Sequence, residues 1–147
     1  MERVFKGRSI LPDEIEGAAV VTHTGFNTLA CYYKSILTDA TQAICGDQDN
    51  PELFGRDLTD KIICLPKSIG STSAGATWDR IAKMGIAPRA MLFSQHIDSL
   101  SAAGLVLVEV WAAKRICAVD QLGDEFLNYV KTGQKIHIKP DGTVTVE

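Results

Sequence analysis

Apolar residues recur along this chain in two rhythms, and each predicts a different kind of element. Alternation on both sides of Pro140-Asp141-Gly142, in "QKIHIKPDGTVTVE", predicts a closing β-hairpin. "RVFKGRSI" and "EGAAVVTH" read as strands separated by the turn "LPDE". "KIICLP" reads as a buried strand, with "RAMLFS" and "RICAVD" as further strands. Helical spacing appears in "AGATWDRIAKMG", where Ala76, Ile81 and Met84 share a face and Gly85 stands as the C-terminal cap. "DSLSAAGLVLVEV" opens on the capping candidates Asp98 and Ser99 and predicts a helix, against the β-branched bias of its second half. "LGDEFLNYVKTG" predicts a short amphipathic helix with acids early, Lys131 late and Gly133 after it. The region after residue 24 is the least regular, and predicts a short helix over 28–44 and a polar loop ending at Asn50-Pro51. No repeat, low-complexity tract or linker interrupts this order. One compact domain of mixed α/β class, spanning residues 1–147, is the expectation.

Composition narrows the class of protein more than its chemistry. A chain of 147 residues with 46% apolar and 22% charged residues has enough material for its own core. A formal charge of −3, with no basic stripe, argues against a nucleic-acid partner. The most apolar stretch, "LSAAGLVLVEVWAA", is too short for a membrane span and carries Glu109. "MERVFKGRSI" lacks the apolar core of a secretory signal, so a cytoplasmic protein is expected. The cysteines at 31, 45, 64 and 117 contain no C-x-x-C pair, which argues against a zinc or cluster site of this chain's own. Cys64 and Cys117, inside apolar runs, are expected to be structural thiols.

The stretch "SIGSTSAG", residues 68–75, is richer than a turn requires. A helix starting near Ser73 or Ala74 leaves its first backbone N–H groups pointing into this loop. Ser71, Thr72 and Ser73 can cap them, while Gly70 and Gly75 allow close approach of another molecule. Such a terminus suits a carboxylate or a phosphate, and the plain alternative is a serine-rich cap. The spacing Gly70 to Gly75 copies a phosphate loop, but Ala76 stands where the lysine belongs, so nucleotide hydrolysis is not indicated. A carrier domain would need a histidine in this loop, and His23, His96 and His137 lie elsewhere. His96 and His23 follow strand ends and are candidates for the same rim, whereas His137 alternates outward in the hairpin.

"GRSILPDEIEGAAVV", "LFGRDLTDKIICLPKSIGSTSAG" and "GIAPRAMLFS", followed by "VDQL", resemble the small subunit of the aconitase X family. The resemblance covers nearly the whole chain. It implies the swivelling β/β/α domain of aconitases and a hydro-lyase built from two chains. Known activities of the family are dehydration of cis-3-hydroxy-L-proline and of phosphomevalonate. The segment from Thr24 to Asn50 differs from the corresponding region of the archaeal enzymes, which points toward a hydroxyproline-like substrate. By motif position the family's proton-accepting serine falls on Ser71, with Ser73 as second choice. An iron or iron–sulfur centre is expected on the large subunit, and no cofactor on this chain alone.

Magnitudes agree with half a site. Holding a serine hydroxyl ionised at neutral pH, from a pKa near that of water, costs on the order of 8 kcal/mol. A helix N-terminus returns about 0.3–2 kcal/mol. One well-aimed donor in a dry site returns about 3–4 kcal/mol. The loop therefore needs a companion that excludes water. Gly70, Thr72, Ser73, Arg8 and Arg56 are the candidate substrate contacts. The reading from a different class is a non-catalytic module that holds a small anion in the same loop.

Overall fold

The computed structural model describes residues 2–69 and 74–147. Ten strands and four helices follow in order: β1 (Arg3–Lys6), β2 (Arg8–Leu11), β3 (Ile15–Val21), β4 (Phe26–Asn27), α1 (Thr28–Leu37), β5 (Ile62–Leu65), β6 (Ser68–Ile69), α2 (Ala74–Met84), β7 (Ala90–Phe93), α3 (Ser99–Trp111), β8 (Cys117–Asp120), α4 (Asp124–Tyr129), β9 (Lys135–Ile138) and β10 (Thr143–Val146). Eight of the strands make one sheet in the order β1-β10-β9-β3-β5-β7-β8-β2. Strands β3, β5, β7 and β8 run parallel, and the remaining pairings are antiparallel.

The sheet's two edges are consecutive in sequence. β1 and β2 are joined by Gly7 alone, and one residue spans at most about 3.6 Å. The edges must therefore meet, and the sheet curls on itself. Gly7 donates its N–H to Gly142 O at 3.0 Å. A Cβ at Gly7 would lie 2.6 Å from Asp120 O, so only glycine fits at this seam.

Curling gives the parallel strands two buried faces, which is why they read as apolar runs. Ala19, Ile62, Cys64, Leu92 and Val119 point inward with Phe5, Phe126 and the hairpin residues Ile136 and Val144. Val20, Ile63, Leu65, Met91 and Ala118 point outward beneath Trp78, Ile81, Leu105 and Val108 of α2 and α3. Gly75 and Gly104 let these two helices approach closely, since a Cβ at Gly104 would lie 3.1 Å from the Gly75 Cα.

Three expectations shift. "RVFKGRSI" is two strands on opposite edges rather than one, because the seam at Gly7 redirects the chain. The first helix ends at Leu37 rather than near residue 44. Thr38 closes it by donating its hydroxyl to Lys34 O at 2.9 Å, and Asp39 then turns at φ 50. Beyond it, long-range bonds such as Cys45 N to Arg56 O at 2.8 Å hold the chain in place. Helix α4 stops at Tyr129, because Val130 is already extended, and leaves Lys131 in the following turn. The hairpin, the Gly85 stop (φ 77) and the Asp98 cap, which accepts from Ser101 N at 2.9 Å, match their expectations.

Candidate functional site

The carboxyl ends of β3, β5, β7 and β8 open on one rim, the usual place for ligands in parallel α/β sheets. Thr22 and His23 leave β3 there, Ser94 to Ile97 leave β7, and Asp120 ends β8. Arg8 is brought to the same rim by its register opposite Asp120. Between β5 and α2, the chain crosses the rim through β6, which pairs with β4. Gly70, Ser71, Thr72 and Ser73 lie outside the described residues, flanked by Ile69 and Ala74.

On the β2–β8 side, Arg8 meets Asp120 with both arms of its guanidinium. Nε donates to Oδ1 at 2.9 Å and Nη2 to Oδ2 at 2.8 Å. Asp120 is fully buried and also accepts Ile97 N at 2.8 Å. Burial pushes the Asp120 carboxyl up, but the donors from Arg8 and Ile97 more than offset it and hold the group below its usual range. His96 completes the corner. Its Nδ1 donates to Ile97 O at 2.7 Å, leaving Nε2 to accept from Arg8 Nη2 at 3.3 Å. Arg8 Nη1 has no partner among the described residues, and the side chain is half exposed.

On the β3 side, Glu52 gathers the donors. Its Oε2 meets His23 Nδ1 at 2.6 Å, and its Oε1 accepts His23 N at 2.7 Å and the Thr22 hydroxyl at 3.1 Å. Asn50 Nδ2 donates to Thr22 Oγ1 at 3.0 Å. Burial pushes the Glu52 carboxyl up, and the hydrogen bonds from His23 and Thr22 outweigh it, so the group is held below its ordinary value. His23 Nε2 faces Leu127 O at 3.2 Å, so both ring nitrogens meet acceptors. Arg56 donates Nε to Glu52 O at 2.9 Å.

Both arginines singled out in the sequence thus stand at the rim, at separate corners, as do His23 and His96. His137 pairs with Glu14 on the hairpin, away from it. Asp120 and Glu52 were not foreseen. Asp120 carried a signal, being the one charge that ends the apolar run "RICAVD". Glu52 carried none, because its partners lie about thirty residues away.

All four cysteines are buried. Interaction with Cys45 and burial push the Cys31 thiol up, and interaction with Cys31 holds Cys45 below its ordinary value. Burial pushes up Cys64, and Cys117 to about 11. Among the described residues no three His, Cys, Asp or Glu side chains come together to hold a metal, so these residues do not fit an iron or iron–sulfur group. No described helix is long and apolar enough to cross a membrane.

A curled mixed sheet with helices packed outside and a ligand rim at its parallel end defines a swivel-type α/β domain. The chain belongs to the aconitase X swivel domain family, whose model matches residues 4–146. It is 24% identical over 144 residues to the phosphomevalonate dehydratase small subunit of Thermococcus onnurineus, covering 97% of this chain and 98% of that one. The protein of the same name from Thermococcus sibiricus is 25% identical over 144 residues, with the same coverage. The crystal structure of Thermococcus kodakaraensis aconitase X in its holo-form shares the fold at a TM-score of 0.82 and 23% identity, over 99% of this chain and 98% of that chain.

Proposed function

We propose that this chain is the small subunit of a hydro-lyase that dehydrates a small hydroxy acid only when joined to a larger partner chain. The observation that carries this reading is the unbroken family match from residue 4 to 146. The curated relatives, matched over almost their full length, are named dehydratase small subunits. Their shared name favours a phosphorylated hydroxy acid of the phosphomevalonate kind over the hydroxyproline expected from the segment 24–50. Among the described residues Arg56 and Lys131 have no carboxylate partner, which favours it too, because hydroxyproline brings only its own carboxylate.

In this reading Ser71, or Ser73 as second choice, takes the carbon-bound proton. Backbone N–H groups of Gly70 to Ser73 steady the alkoxide or a substrate carboxylate. Arg8 offers one guanidinium nitrogen from a frame set by Asp120, and Arg56 offers two. Dehydration also requires an acid for the leaving hydroxyl. The iron or iron–sulfur group proposed for that task belongs with the large subunit, since the described residues here do not fit one.

Co-expression with a candidate large subunit, followed by an activity screen of mevalonate 5-phosphate and cis-3-hydroxy-L-proline, tests the reading. Activity is expected from the pair and none from this chain alone. Turnover by the isolated chain would remove the shared-site idea, and a pair that binds these acids without turning them over would favour a non-catalytic anion-binding module.

A further inference from the structure

A cleft of about 250 Å³ opens at the β3 corner of the rim, lined by His23, Glu52, Arg56, Lys131 and Thr132. Drug-sized ligands occupy pockets of roughly 300–1,000 Å³, so this one suits a small group or one end of a longer molecule. Its chemistry is lopsided. Glu52, the one acid among its described lining residues, is already engaged by the His23 ring and backbone and by Thr22. Arg56 is anchored by Nε alone, at 2.9 Å from Glu52 O, and neither terminal nitrogen has an acidic partner among the described residues. Lys131 forms no ion pair among them either, and its backbone is fixed by the turn to Gln134, whose Oε1 accepts Lys131 N at 2.7 Å. Thr132 Oγ1 accepts Val21 N at 3.0 Å, which leaves the hydroxyl proton to be donated. A planar guanidinium, an ammonium and a hydroxyl donor around one small cleft match the acceptor-only surface of an oxyanion.

The cleft is also linked by a short stretch of chain to β6, the strand that precedes Gly70. Two residues after His23, Gly25 packs so closely on Ile69 that a Cβ there would lie 2.5 Å from Ile69 Cγ2, and Ile69 immediately precedes Gly70.

We infer that this cleft is an oxyanion subsite for a phosphoryl or carboxylate group, built from Arg56, Lys131 and Thr132 and braced by the His23–Glu52 pair. That the bound anion is the far end of the substrate rests on the hydro-lyase reading; the binding itself does not.

The full-length, isotope-labelled chain is titrated by NMR with inorganic phosphate and, separately, with acetate at constant ionic strength. Saturating shifts are expected at His23, Arg56, Lys131 and Thr132. Tighter binding of phosphate assigns a phosphoryl group, and tighter binding of acetate a carboxylate. Arg56→Gln should weaken binding about tenfold and Lys131→Gln about threefold, the stronger loss falling on the bidentate partner. Lys83→Gln, one positive charge fewer on α2, should leave the affinity unchanged. Non-saturating shifts with both anions, or an affinity that neither Arg56→Gln nor Lys131→Gln alters, overturns the inference. If Arg56→Gln fails to fold, the exposed Lys131→Gln decides alone. In the two-chain enzyme, Arg56→Gln should raise KM by the same factor as Kd, with kcat within about twofold. A KM that stays put while anion binding is lost leaves the subsite standing and removes its assignment to the substrate.

Discussion

Arg8 and Arg56 stand at two corners of one rim, and the fold treats their charges in opposite ways. Arg8 is locked onto a fully buried carboxylate that also caps a backbone N–H, so most of its charge is answered within the chain. Among the described residues the Arg56 side chain donates only to a backbone carbonyl, beside a glutamate already occupied by histidine. The first arrangement ties an edge strand to the sheet and orients a guanidinium. The second leaves a cation with most of its donors unmet. Two arginines in similar Gly-Arg pairs, Gly7-Arg8 and Gly55-Arg56, thus carry different weights of structure and binding, and the neighbouring acid decides which.

The largest expected effect falls on the serine-rich loop. In the two-chain enzyme Ser71→Ala should lower kcat by about 10²–10⁴, the range for loss of a general base, with unchanged assembly by size-exclusion chromatography. Ser73→Ala should cost less, and equal losses would leave the base unassigned.

Next come the arginines themselves. Arg8→Gln leaves Asp120 buried without its ion partner and should clearly lower the urea midpoint, by less than the loss of a fully buried pair because Arg8 is half exposed. Arg56→Gln, which removes only an exposed contact, should stay within about 0.5 kcal/mol. Similar losses in the two variants would erase the contrast.

The smallest effect is in acid. Asp120 and Glu52 are both held below their ordinary values in the folded chain. Their contribution to stability is therefore complete above the unfolded carboxylate pKa of about 4 and is lost as pH falls through the lower folded values. Stability measured by denaturation from pH 7 downward should fall in that window, and Asp120→Asn should flatten the fall more than Glu52→Gln. An unchanged slope in Asp120→Asn would place the acid sensitivity elsewhere.

Local pattern carried much of this architecture. Apolar runs such as "KIICLP" and "RAMLFS" mark strands because a strand covered on both faces has no polar side to show. Asp98 and Gly85 mark helix ends because unpaired backbone groups need a cap and a left-handed stop needs no Cβ. The fault at Gly7 has the same logic in reverse. Nothing local separates Phe5-Lys6 from Arg8-Ser9, and only the meeting of the sheet's edges makes them different strands.

By itself, then, the sequence determined most of the elements, the serine-rich stretch ahead of α2 and the family likeness, since each depends on short-range periodicity, capping or motif. Tertiary structure alone decided which arginine meets an acid and which does not. Asp120 reaches Arg8 across 112 residues and Glu52 reaches His23 across 29, through strand register and closure of the sheet. Charge pairing depends on distances of a few ångströms that no spacing along the chain encodes, and those distances separate the braced corner from the one left open to an anion.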